Sequence, residues 1–191
     1  MTQRAKWFSL LVLAPLSACA INYYYSPGVY PIADERIRPF SVDGPVEIVN
    51  TQAIADRKNV IARFTGAIWM GDLQRITQAL IDQLSGEIVK RGGQVSSPSQ
   101  KRVRIAVTNV TVEQGAWTLK VSLTLTVQLA DRPPRVVAVE NRSPGNIWRA
   151  VNGSIALAVI KLLGDPEVLQ FFAASQETRQ GTGMGRVNIR M

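Results

Sequence analysis

Residues 117–129 set the strongest constraint on the fold. Apolar side chains occupy every second position: Trp117, Leu119, Val121, Leu123, Leu125, Val127 and Leu129. Thr118, Lys120, Ser122, Thr124, Thr126 and Gln128 lie between them. Successive side chains along a strand point to opposite faces, so the pattern predicts one strand with a buried face and a wet face. At about 3.3 Å per residue it would span roughly 40 Å. A helix is excluded, because a period of two spreads the apolar set around the whole helical cylinder. The rest of the chain must pair with this strand or cover its apolar side.

Two flanking segments suit the pairing. Residues 102–113 carry Val103, Ile105 and Val107, then Val110 and Val112. The alternation slips by one at Thr108 and Asn109, which predicts a β-bulge. Gln114-Gly115 predicts a turn into the long strand. Asp131-Arg132-Pro133-Pro134 ends that strand, since proline has no N–H to give a ladder. Residues 135–142 bring Val137 and Val139 back as a third strand. A register follows that puts every apolar residue on one face. It sets Val112 opposite Trp117, Val110 opposite Leu119, Ile105 opposite Leu123 and Val103 opposite Leu125. Leu129 then meets Val137, and Val127 meets Val139. The other face carries Arg102, Arg104, Lys120, Thr124, Thr126, Glu140 and Arg142, with Arg102, Thr126 and Glu140 in one row.

Upstream, residues 45–50 and 59–65 read as strands joined through a polar turn, Asp56-Arg57-Lys58-Asn59. Asp72 suits the start of a helix whose stripe is Leu73, Ile76, Leu80, Leu84 and Ile88. Lys90 and Arg91 fall in its last turn and Gly92-Gly93 stops it. Residues 95–100 read as a loop. Asn146 suits the cap of a second helix over 147–163, with Trp148, Val151, Ile155, Val159 and Leu162 as its stripe. Gly164 stops it, and Asp165-Pro166 opens a short third helix. The order β-β-α-β-β-β-α-α predicts a two-layer α+β domain over residues 41–175, an antiparallel sheet with helices packed on one face. Residues 176–191, with three Gly and three Arg, read as a flexible basic tail.

The first eighteen residues have the parts of a sorting signal. Arg4 and Lys6 precede an apolar run over 7–16 that is too short to span a bilayer as a helix. Leu16-Ser17-Ala18-Cys19 follows and resembles the lipobox of bacterial lipoproteins. That resemblance implies cleavage before Cys19 and acylation of its sulfur and new amine, a multi-chain anchor that holds stably. The residue after Cys19 is Ala20 rather than Asp, which by the sorting rule of that class implies the periplasmic side of the outer membrane. The plainer alternative is an ordinary secretory signal cut in the Ala18-Cys19-Ala20 stretch. Residues 19–40, rich in Tyr, Pro and Gly, read as anchor and tether. Tyr23, Tyr24 and Tyr25 suit either the membrane interface or packing on the domain.

Charge and composition bound the function. The net charge is +8, and two of those charges, Arg4 and Lys6, leave with the signal. The remainder favours anionic partners, or is spread over the surface as an aid to solubility. There is no histidine, which removes the commonest general base and metal ligand. The single cysteine excludes an intramolecular disulfide and a paired-cysteine metal site. No nucleophile elbow, phosphate loop, zinc-helix or dinucleotide motif occurs. Gly181-Thr182-Gly183-Met184-Gly185 is glycine-rich but follows no strand. Asp34-Glu35 is the only adjacent carboxylate pair, and Asp72 and Asp82 point different ways on one helix, so no cleft with facing carboxylates is built. No catalytic residue, cofactor or metal is expected.

With this order in place, the chain resembles the YajG family of small proteobacterial lipoproteins. The likeness rests on the lipobox, the amphipathic helix ending in Lys90-Arg91-Gly92-Gly93, the long alternating strands, and the run from Ser154 through Gly164-Asp165-Pro166 to Phe172. The strand and helix order is also similar to the lipoprotein plug of the lipopolysaccharide translocon, which the closing helix after Asp165 fits less well. The resemblance implies a lipoprotein held through Cys19 and carries no further functional residue; the expected role is a non-enzymatic accessory or assembly module of the cell envelope. The alternative is a lipoprotein that binds lipid or lipopolysaccharide in envelope transport. Arg102, Arg104, Lys120, Thr124, Thr126 and Arg142 on the polar sheet face are the candidate contacts for an envelope protein or an anionic glycolipid. A solvated outer face is the plainer alternative. Nucleic acid is not expected, because the signal sends the chain out of the cytoplasm.

Overall fold

A computed structural model describes residues 20–52 and 59–174. The signal with Cys19, most of the turn expected at 56–59 and the basic tail at 176–191 lie outside the described residues. In chain order the elements are β1 (Ile21–Tyr25), β2 (Pro45–Asn50), β3 (Asn59–Phe64), β4 (Ala67–Gly71), α1 (Leu73–Lys90), β5 (Gln94–Val95), β6 (Lys101–Gln114), β7 (Leu119–Leu129), β8 (Arg135–Ser143), α2 (Ile147–Leu163) and α3 (Pro166–Ala173). Eight strands form one open sheet, and the helices pack on one face of it, the α+β arrangement the sequence predicts.

The sheet is built on β6. One edge of β6 pairs with β7 antiparallel, and β7 pairs with β8 the same way. The other edge is shared. β2 runs parallel to its first part, with Val46 beside Lys101 and Asn50 beside Ile105. β3 runs parallel to its last part, with Ala62 beside Val112. β4 pairs with β3, and β1 adds in parallel to β4 as the outermost strand. The sheet is therefore mixed, not wholly antiparallel as expected. Its three long strands form the expected meander, while α1 provides the crossover that lets β2 and β6 run in the same direction.

The register differs from the expected one by four residues. Val112 faces Val121, Val110 faces Leu123, Ile105 faces Val127 and Val103 faces Leu129. Across the next pair, Leu125 faces Val137 and Leu123 faces Val139. Between β7 and β8 the connection over residues 130–134 sets the slip, returning the chain with Arg135 opposite Val127, and between β6 and β7 the cause is the turn. Residues 115–118 are all spent on it, closed by Gly115 N–H donating to Thr118 O at 2.8 Å. Trp117 therefore leaves the strand and stands 90% exposed instead of opposing Val112. A slip of four is even, so every side chain keeps its face and the apolar set stays buried. The expected bulge is present, at Val107 to Asn109.

All three helices start where the sequence places them. Asp72 accepts from the N–H groups of Gln74 and Arg75, Asn146 from that of Arg149, and Asp165 from those of Glu167 and Val168. Each side chain satisfies amide donors that the first helical turn leaves free. Ile76, Leu80, Leu84 and Ile88 of α1 and Val151, Ile155, Val159 and Leu162 of α2 are buried against Ile105, Leu123 and Leu125. Complete burial of one such side chain contributes about 1.5–3 kcal/mol. Trp148 is the exception in the α2 stripe. It is 41% exposed at the first turn, beyond the edge of the core.

Residues 20–43 are not a free tether. Ile21–Tyr25 is a strand, and Tyr25, Ile32 and Ile37 are core residues. Past β1 the chain runs along the helices as a strap. The Tyr25 hydroxyl and the Gly28 N–H both donate to Asn152 Oδ1 of α2, and Gln83 Nε2 of α1 donates to Tyr30 O. Lys90 pairs with Asp34, and Phe40 packs on Phe172 at 6.4 Å between ring centres. Buried Lys101 closes the far end by donating to the carbonyls of Asp43 and Phe172. Burial lowers the pKa of Lys101 from its usual value.

Candidate functional site

The helix-free sheet face carries all six residues that the sequence nominates, but not as one patch. Arg102 and Arg104 lie near the start of β6, Arg104 opposite Gln128. Lys120 and Arg142 sit side by side at the other end of the face, in one row with Glu113. Lys120 lies eight positions from Gln128 along β7, about 26 Å at 3.3 Å per residue. Thr124 and Thr126 occupy the middle. The expected row of Arg102, Thr126 and Glu140 does not form, because Thr126 lies between Ala106 and Val136, and Glu140 lies beside Ser122.

The charged members already have partners. Arg102 Nε is 2.6 Å from Glu47 Oε2 of β2. Arg104 donates to the Ala130 carbonyl at 2.8 Å. Lys120 and Arg142 share Glu140, at 3.2 Å and 3.6 Å. The hydroxyl of Thr126 donates to the Ala106 carbonyl, and that of Thr108 to the Thr124 carbonyl. The face thus presents hydroxyls, stems and paired charge rather than a cluster of unpaired cations.

Glu47 is a residue that the sequence reading missed. Its carboxylate accepts from Ser97 Oγ at 2.6 Å, from Arg102 and from the Ser99 N–H. The Ser97 hydroxyl, then the Arg102 guanidinium, hold the Glu47 carboxyl below its usual range. Its partners lie about fifty positions away, so no local pattern marks it. The second missed feature is aromatic. Tyr23 stacks on Trp69 at 4.8 Å between centres, and Trp148 meets Trp69 edge-on at 4.7 Å. Parallel pairing of β1 with β4 places Tyr23 beside Trp69, and neither strand was read from the sequence.

A groove of about 350 Å³ lies between the strap and α1, lined mainly by residues 27–32 and by Ala79, Asp82, Gln83 and Gly86. It holds two carboxylates, Asp82 and Glu87, of which Glu87 is paired with Arg91.

No family model and no curated protein sequence matches the chain. Some solved structures resemble it. The protein XCC0632 from Xanthomonas campestris, whose description gives the family as DUF330, superposes with a TM-score of 0.46 at 16% identity, over 80% of this chain and 95% of that one. A minor lipoprotein from Acinetobacter baumannii gives 0.37 at 12% identity, over 63% of this chain and 89% of that one. An uncharacterized protein gives 0.37 at 14% identity, over 76% and 95%.

Proposed function

We propose that this chain is an outer-membrane lipoprotein, anchored through Cys19 on the periplasmic side, that serves as a non-enzymatic accessory or assembly module of the cell envelope. The lipobox Leu16-Ser17-Ala18-Cys19 and the resemblance to YajG-type lipoproteins support the anchor. The single observation that carries the module reading is the state of the helix-free sheet face. Its four candidate cations are each engaged within the domain, by Glu47, the Ala130 carbonyl and Glu140. A polyanionic glycolipid needs free cations to bind, whereas a protein surface can meet hydroxyls and pre-paired charges with complementary hydrogen bonds. The face therefore favours a protein partner over lipopolysaccharide.

In-cell photo-crosslinking from position 124, with the anchor intact, tests this. A discrete protein adduct is expected. A glycolipid adduct would move the chain to envelope lipid handling, and no adduct would remove the face from consideration. Cys19→Ser tests the anchor separately: the expected product is a folded chain released from the membrane fraction. If that variant still sediments with outer membrane, the lipobox reading is wrong.

A further inference from the structure

We infer that the end of the sheet where β1 begins lies against the bilayer, with Trp117, Trp148, Tyr23 and Ile21 in its interfacial layer. The inference rests on acylation at Cys19 and goes beyond it, because an acyl anchor alone does not orient a domain.

Pairing defines that end. Ile21 pairs with Ala67 and Ala67 with Phe64, while Gln114 pairs with Leu119 and Leu119 with Ser143. Ala62 beside Val112 joins the two sets into one row across the sheet. The turn at 115–118 projects past this row and carries Trp117. The first turn of α2, just after Ser143, carries Trp148 at the same end. Among the described residues, the two exposed tryptophans therefore stand at one end of the domain, 90% and 41% exposed. Ile21 and Tyr23, at 58% and 39%, belong to the same end. Large apolar side chains gathered in water on one rim mark a contact surface. Tryptophan and tyrosine are the residues favoured at a membrane–water interface, where the ring is buried and its polar atom stays wet.

Chain length makes a bilayer the occupant. Cys19 precedes Ile21 by two residues, and consecutive Cα atoms are about 3.8 Å apart, so an acylated Cys19 holds Ile21 within about 8 Å of the lipid. β1 is a strand from Ile21 onward, hydrogen-bonded to β4, and leaves no slack for the domain to swing away. Charge agrees. Arg36 and Arg149, neither in an ion pair among the described residues, line one concavity of about 290 Å³ beside it, with Arg142, Tyr30, Asn141 and Ser143. Among the described residues, no carboxylate lines that concavity. Guanidinium groups so placed suit the phosphates of anionic headgroups.

The test uses the mature protein reconstituted into vesicles of phosphatidylethanolamine and phosphatidylglycerol with brominated acyl chains. The difference in emission between the natural protein and Trp117→Phe reports Trp117, whose exposure makes the replacement harmless to the core. The expected difference spectrum is blue-shifted, quenched by the brominated lipid and shielded from aqueous iodide. Emission typical of water, quenched by iodide and not by lipid, would overturn the docking. Loss of iodide access without lipid quenching would put a second copy on the patch and overturn it too. The intact mass of the same sample reads acylation. An acylated chain with Trp117 in water removes the docking and leaves the lipoprotein reading standing, whereas an unacylated chain removes both.

Discussion

Thr77 Oγ1, in the second turn of α1, accepts a hydrogen bond from the Val107 N–H of β6 at 2.9 Å. The pairing of β2 with β6 ends at Ile105, and that of β3 is at Val112. The Val107 amide falls between them, next to the bulge, and a helix side chain takes the place of a neighbouring strand. The same hydroxyl donates to the Leu73 carbonyl at 2.8 Å, and Thr77 is fully buried. Thr77→Val keeps the shape and leaves the Val107 N–H with nothing to donate to. The expected cost is about 1–3 kcal/mol, since a buried unsatisfied donor carries its full desolvation penalty. Thr77→Ser keeps the hydroxyl and is expected to lose less. Denaturant titration of the two variants reads this directly, and equal midpoints for Val and Ser would refute the role of the hydroxyl.

Leu123 faces Val110 on one side and Val139 on the other, and is completely buried. Leu123→Asp places a carboxylate in the middle of the sheet's covered face with no cation to meet it. Burial of an unpaired charge costs more than a domain of this size has in reserve. The variant is expected to show no cooperative thermal transition. A melting temperature equal to that of the natural protein would contradict the strand assignment.

How much of this was legible in the sequence depends on the range of the signal. The alternation in β7, the stripes of α1 and α2 and the caps Asp72, Asn146 and Asp165 are local, and each predicted its element. The register of β7 was not local. Trp117 continues the alternation perfectly, yet the turn needs residues 115–118, and a slip of four leaves the apolar pattern equally satisfied. Periodicity fixes which face a residue takes and leaves even slips undecided. β1 and β4 are five residues each, too short to show a period, and β1 is followed closely by Pro27 and Pro31, which argued for a tether. Their existence depends on partners brought together only by the fold. Alternation put Arg104, Lys120, Thr124, Thr126 and Arg142 on one face, as the strand pairing has them, while Glu47, which pairs with Arg102, has no local signal.

That pair gives a pH prediction. The folded Glu47 carboxyl is held below the ordinary value of 4.5 by Ser97 first and Arg102 next. A carboxyl with a depressed folded pKa contributes stability that is present in full above its ordinary value and lost as pH falls through the folded one. The natural protein is therefore expected to lose stability as pH falls below the ordinary carboxyl value of 4.5, partly through this group. Glu47→Gln cannot titrate, so its unfolding midpoint should fall less below the same pH. Parallel pH profiles for the two proteins would show that Glu47 contributes nothing to the acid limb.

Asn152 fastens the strap, and its removal should be felt at a distance along the chain. Its Oδ1 accepts from both the Tyr25 hydroxyl and the Gly28 N–H, the latter at 3.0 Å. Tyr25 is buried, and burial raises its pKa, so the hydroxyl stays protonated and must find an acceptor. Asn152→Ala leaves it without one, at a cost of about 1–3 kcal/mol. Tyr25→Phe removes the donor instead, so the double variant should be less destabilised than the sum of the two single ones, as for any pair in contact. Hydrogen exchange localises the effect. Amides of residues 25–32 are expected to exchange faster in Asn152→Ala while those of α1 keep their protection, because α1 also packs on β6, α2 and β2. Uniformly faster exchange across α1 and the strap would show instead that the segment is an integral part of the cooperative unit and opens only with it.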